Sequence, residues 1–205
     1  TGISILFTRC QTMNKLITIL LFCIFPLSAS FAGDDAGQYV AQSKMVVEEF
    51  STSLKGELGK AMKAGGPANA IEVCNKVAPD IARKLSEKHG MKVARTSLKT
   101  RNSANAPDDW EKAVLEKFEE RRAEGENSAE MAYYEIVKSD GKKEFRFMKA
   151  INMPPLSKMP CLKCHGENIA PEVSAKLDEL YPDDRARGYK AGQIRGAFSL
   201  AQPLD

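Results

Sequence analysis

Apolar residues recur along the chain at two spacings, and the switch between them separates helical from extended stretches. From residue 39 to 62 they fall at Tyr39, Val46, Val47, Phe50, Leu54, Leu58 and Met62, with the small Ser43 completing the row. That is the period of one helical face. Gly65-Gly66-Pro67 interrupts it, with the proline placed to open a following helix. The second helix is expected from Asn69 towards His89, with Ala70, Cys74, Val77, Ala78, Ile81 and Leu85 as its stripe and Gly90 as its stop. Pro79 falls inside it and predicts a kink or a split.

Beyond this pair the pattern changes. Met91 to Lys99 reads as a strand, and Arg101 to Ala106 as turns. Pro107 opens a third helix, with Asp108, Asp109 and Glu111 at its positive end and Trp110, Val114 and Phe118 on its buried face. Two alternating segments, Met131 to Ser139 and Lys142 to Ile151, flank Asp140-Gly141. That dipeptide suits a tight hairpin turn. Prolines at 154, 155 and 160 exclude regular structure up to Cys161. A short helix from Pro171 to Tyr181 and a last strand from Gln193 to Leu200 complete the reading. Helices first, then strand, helix, hairpin and strand predict an α+β domain, its antiparallel sheet covered on one side by helices.

The start of the chain does not belong to that domain. Met13-Asn14-Lys15 is a short positive start, Leu16 to Leu27 an almost unbroken apolar run, and Ser28 to Ala32 a small-residue stretch. This is the order of a secretory signal cut after Ala32, with residues 1–12 upstream of the true start. A run of this length falls short of the ~20 residues a membrane span needs. The expected organisation is therefore a leader over residues 1–32 and a single domain over 33–205, exported to the periplasm with no remaining membrane span. The whole chain has 205 residues and a formal net charge of +3. Arg9 and Lys15 leave with the signal and no acid does, so the mature charge is about +1. Nothing in that balance points to nucleic acid.

Signal removal also takes Cys10 and Cys23, leaving Cys74, Cys161 and Cys164. An odd number of thiols in an exported chain asks for a use other than disulfides. Cys161-Leu162-Lys163-Cys164-His165 supplies one: it has the spacing of a c-type haem attachment motif. Two thiols reach the two vinyl groups on one porphyrin edge, and the adjacent imidazole lies under the iron. A dithiol redox centre would belong with a βαβ pattern, which is missing, and a zinc site would need two further ligands. One covalent haem c is thus expected, held by Cys161 and Cys164, with His165 on the iron. For the opposite axial position the residues leave several candidates: Met45, Met62, Met91, Met131, Met148, Met153, Met159, His89 and Cys74.

A resemblance narrows that choice. Four stretches carry it. They are Ala70-Ile71-Glu72-Val73-Cys74 with Ala78-Pro79-Asp80-Ile81-Ala82; Arg95-Thr96-Ser97-Leu98-Lys99 leading into Arg101-Asn102 and Asn105-Ala106-Pro107; Met159 to Gly166; and Gly192-Gln193-Ile194-Arg195-Gly196-Ala197-Phe198-Ser199. Together they resemble a family of exported haem-c proteins with a PAS-like fold, over about Gln38 to Leu200. Ser103 departs from the family pattern, which has proline there. The resemblance implies a PAS-like antiparallel sheet flanked by N-terminal helices, and His165 and Cys74 as the axial pair. A thiolate donor favours ferric iron, and so a low reduction potential. The expected role is a redox or small-gas sensor, with NO or CO as ligand and a separate signalling or redox protein as partner. The alternative is a simple periplasmic electron carrier. No paired carboxylates or second metal set suggests an enzyme.

Overall fold

The computed structural model describes residues 34–139 and 141–204. The expected leader, with Cys10, Cys23 and the cleavage point after Ala32, lies outside the described residues. Helix α1 (Asp34–Glu72) bends at Gly65 (φ −155°, ψ 19°) and Gly66 (φ 70°, ψ −162°), and Pro67 follows as helix resumes. The break read from Gly65-Gly66-Pro67 is therefore present. The helix then passes into one π turn, Val73–Val77, and continues as α2 (Ala78–His89). Pro79 explains the π turn: it has no N–H to offer the carbonyl four residues back, and its ring crowds that carbonyl. A wider turn absorbs both problems, and Ala78 N–H closes it on the Val73 carbonyl.

Four strands follow: β1 (Lys92–Thr96), β2 (Ala132–Ser139), β3 (Lys142–Asn152) and β4 (Ile194–Leu204). All pair antiparallel in the order β1-β4-β3-β2. The last strand thus sits in the middle, with Arg95 opposite Phe198 and Phe147 opposite Leu200. A register shift between Ile151 and Asn152 puts Asn152 against Ile194.

Neighbouring residues on a strand face opposite ways, and both faces of this sheet are buried. Phe145, Phe147, Phe198 and Leu200 pack with Val46, Phe50 and Leu54 of α1 and Leu85 of α2. Met148, Ala150 and Ala197 instead pack with Val114, Leu115 and Phe118 of α3 (Asp109–Ala123). Helices covering a single side was too simple an expectation: the row Val114, Leu115, Phe118 needs a partner, and only the second sheet face is free to supply one. Helix α3 starts two residues after Pro107, capped by the Asp108 side chain on Glu111 N–H while Glu111 returns a bond to Asp108 N–H. Two short helices, α4 (Leu162–His165) and α5 (Pro171–Leu180), complete the described chain. Among the described residues no helix is long and apolar enough to cross a membrane.

Candidate functional site

The Cys161–His165 segment forms a single helical turn. His165 N–H reaches the Cys161 carbonyl at 3.0 Å, and Gly166 N–H the Leu162 carbonyl at 2.9 Å. A side chain at Gly166 would place its Cβ 2.4 Å from that same Leu162 oxygen, so only glycine lets the chain leave the turn this way. The exit strand is then pinned by Tyr189 N–H to the His165 carbonyl (2.9 Å) and Gly188 N–H to the Gly166 carbonyl (3.0 Å). Two thiols and an imidazole are thereby held on one short rigid piece.

His165 is oriented by its second nitrogen. Nδ1 lies 2.8 Å from the Ala186 carbonyl oxygen. A carbonyl only accepts, and its 2.8 Å contact is shorter than the 3.3 Å approach of Arg195 Nε to the same nitrogen, so the proton belongs on Nδ1. The Nε2 lone pair then faces Arg101 Nη1 at 3.5 Å, a long contact that a metal would replace. Burial, followed by the positive charges of Arg101 and Arg195, holds the imidazole well below its usual pKa. It is therefore neutral at pH 7, the form in which histidine coordinates.

Arg101 builds the wall behind this histidine. Its Nη2 donates to the Cys164 carbonyl at 2.6 Å and the Ala186 carbonyl at 3.3 Å, and its Nε to Asp184 at 3.1 Å. Both members of that ion pair are buried, at 7% and 1% side-chain exposure. Asp184 also accepts from Arg187 Nε at 2.8 Å and Ala186 N–H at 2.9 Å. Burial alone would raise its pKa, but the hydrogen bond and charge of Arg101 outweigh this and hold it below the ordinary value.

Two clefts meet at Leu58, Cys74, Arg101, Cys161 and His165. The sequence-predicted residues are thus gathered in one place: Cys161, Cys164 and His165 on the motif, and Cys74 facing them from the π turn. Cys161, Cys164 and Cys74 are all free thiols and half-buried. Burial raises the thiol pKa at both Cys161 and Cys164. The other axial candidates divide. His89 points elsewhere, with Nε2 3.0 Å from Glu49. Met45 is exposed, and Met91, Met131 and Met148 are in the hydrophobic core. Met62, Met153 and Met159 line the clefts.

The clefts differ in character. One is walled by Met62, Ala70, Ile71, Met159 and Pro160; the other carries Arg95, Arg195, Thr96, Ser97, Asn102 and Asn105. Sequence reasoning missed the arginines as site residues. They lay within the stretches that carry the family resemblance, which was their only signal. This donor set suits a flat macrocycle with one apolar and one polar edge: paired thiols, a neutral imidazole with an unprotonated Nε2, and a third thiol opposite.

Comparisons with known proteins agree with that architecture. A family model described as Tll0287-like matches residues 28–203. A search of solved structures finds the crystal structure of the cyanobacterial haem protein Tll0287, with a TM-score of 0.61 and 21% identity over 82% of this chain and 96% of that one. At that identity the likeness speaks for the fold. No curated protein matches.

Proposed function

This chain belongs to the Tll0287-like family, and from that premise we propose that it is a haem-binding protein of the c type. In this reading one haem is joined covalently to Cys161 and Cys164, with His165 and Cys74 as its axial ligands. The carrying observation is the meeting of those four residues in one cleft, with His165 Nδ1 committed to Ala186 and Nε2 held by nothing shorter than a 3.5 Å contact to Arg101. Bound there, haem supplies an iron centre that exchanges one electron and binds diatomic gases. The protein's own part is to orient the imidazole through Ala186, hold the motif through Arg101, and present a thiol from a segment of unusual backbone. π turns within helices occur often at functional sites, and a wide turn is easier to reshape than a regular one.

That last point favours a redox or small-gas sensor in the periplasm over an enzyme. Cys74 would be able to shift on its π turn without dismantling a helix, which would suit a haem that takes up NO or CO. The first test is a pyridine haemochrome spectrum of protein expressed with its leader and a haem-attachment system. A spectrum without the c-type signature defeats the covalent reading. Next, Cys74→Ala is expected to change the low-spin ferric EPR signal and raise the midpoint potential. An unchanged signal removes Cys74 as ligand and returns Met62, Met153 and Met159 as candidates. Finally, reduction under CO separates the roles. Rapid CO binding supports sensing, whereas a six-coordinate haem closed to CO with fast electron exchange supports an electron carrier.

A further inference from the structure

The arginines of the polar cleft present a charge problem. Arg95, Arg101 and Arg195 all line it, and no aspartate or glutamate lines either cleft among the described residues. Arg101 is satisfied by Asp184 and two carbonyls. Among the described residues neither Arg95 nor Arg195 forms an ion pair with a carboxylate, and Arg195 feels the charge of Asp184 only at longer range. Arg95 lies across the Phe50 ring, its carbon 5.6 Å from the centroid, and its electrostatic neighbours are the Cys74 thiol and the Tyr181 phenol. Arg195 donates Nη1 to Ser97 Oγ at 2.9 Å and the Lys99 carbonyl at 3.2 Å, and its Nε approaches His165 Nδ1 at 3.3 Å. Burial lowers both guanidinium pKa values, that of Arg195 to about 10. A half-buried guanidinium without a paired carboxylate is unfavourable, and here two of them face one cavity.

Both arginines enter the cleft from the ends of neighbouring strands. Arg95 is in β1, opposite Phe198, and Arg195 is near the start of the neighbouring strand β4, with Thr96 opposite Ala197. Gly196 has no room for a side chain: its Cβ would stand 2.3 Å from the Thr96 carbonyl. That contact draws the two strands together at the point where the arginines enter the cleft. Cys164 lines only the opposite, apolar cleft.

Resting on the haem reading above, we propose that Arg95 and Arg195 are the anion-holding pair of the site and take the two propionate carboxylates of the haem. The numbers match: two cations without carboxylates, and two anionic groups on one porphyrin edge. The polarity also matches, because the vinyl groups that the cysteines capture lie on the edge opposite the propionates. Arg101, already tied to Asp184, stays a positioning residue for His165. The same pair could in chemical terms hold a diffusible oxyanion, so the test must tell the sources apart.

The test uses full-length holoprotein of wild type, Arg95→Gln, Arg195→Gln, Arg95→Lys and Arg195→Lys, with Arg121→Gln, a change at a surface pair with Glu126, as control. Circular dichroism checks folding, and the lysine variants keep the test open where a glutamine variant does not fold. Pyridine haemochrome assay first establishes covalent haem in each preparation. Each glutamine variant is expected to shift the propionate-bending band in the resonance Raman spectrum and to lower the midpoint potential. Each lysine variant restores the potential, and the control moves neither. Titrating wild type with inorganic phosphate or sulfite is expected to leave the Soret band in place. A wild type without covalent haem defeats the parent reading. Haem-bearing variants whose Raman band ignores both arginines overturn this assignment alone. So does a saturable phosphate- or sulfite-induced shift that Arg95→Gln abolishes, which would make the pair a diffusible-anion site.

Discussion

Replacing Arg101 by glutamine probes the wall behind His165 most directly. The side chain is buried and bonds at once to Asp184 and to the Cys164 and Ala186 carbonyls, with a longer contact to His165 Nε2. Breaking a buried ion pair costs about 3–5 kcal/mol, because the remaining charge stays desolvated. Asp184 keeps Arg187 and Ala186 N–H as partners, so the low end, about 3 kcal/mol, is expected at pH 7. This is a large share of the ~5–15 kcal/mol that holds a domain together. The pH dependence has a definite sign. Asp184 has a folded pKa below its ordinary 3.8, so the stability it contributes is fully present above that value. That stability is lost as pH falls through the lower, folded pKa. Urea unfolding of wild type and Arg101→Gln at pH 7 should therefore show a gap of about 3 kcal/mol, and the gap should narrow steadily below pH ~3.8. A loss under ~1 kcal/mol at pH 7, the size of an exposed pair, would refute the reasoning. So would a gap of the same size in acid.

Two other predictions need only standard unfolding curves. Gly196→Ala forces a methyl against the Thr96 carbonyl at 2.3 Å and should cost about 3 kcal/mol, while Gly56→Ala, at an exposed position of α1 with open space around it, should add about 0.5–1 kcal/mol. Equal effects of the two would show that the strand contact is not tight. Asp108→Ala removes the α3 cap and the 2.7 Å pair with Arg146. A loss of about 1–2 kcal/mol should appear as a Tm lowered by several degrees, and an unchanged Tm would mean the cap contributes nothing.

Local signals were the ones the sequence disclosed. The α1 stripe, the interruption at Gly65-Gly66-Pro67, the disturbance at Pro79 and the hairpin around Gly141 depend on residues a few positions apart, and each appears where the pattern put it. Boundaries were less legible: β4 runs to Leu204, beyond Leu200, because pairing with β3 as far as Lys143 extends it. The motif residues were readable because Cys161, Cys164 and His165 are adjacent. What brings Arg95 and Arg195 to one cleft, or Arg101 to Asp184, is tertiary packing across some 80–100 positions. No periodicity reports contacts of that range. The covering of the second sheet face by α3 was hidden for the same reason.

The strand order has a consequence for how this molecule is put together in time. A chain emerges from its N-terminal side, and the central strand of this sheet is the one that emerges last. Until β4 arrives, β1 has no neighbour and β2–β3 is a lone hairpin, which is marginal by itself. The cysteine pair, some thirty residues earlier, is out before the strand that carries Arg195 and Gly196 closes over it. The fold thus leaves an interval in which Cys161 and Cys164 are synthesised but the sheet is not yet complete. Insertion of a single strand ends that interval and completes the sheet in the same event.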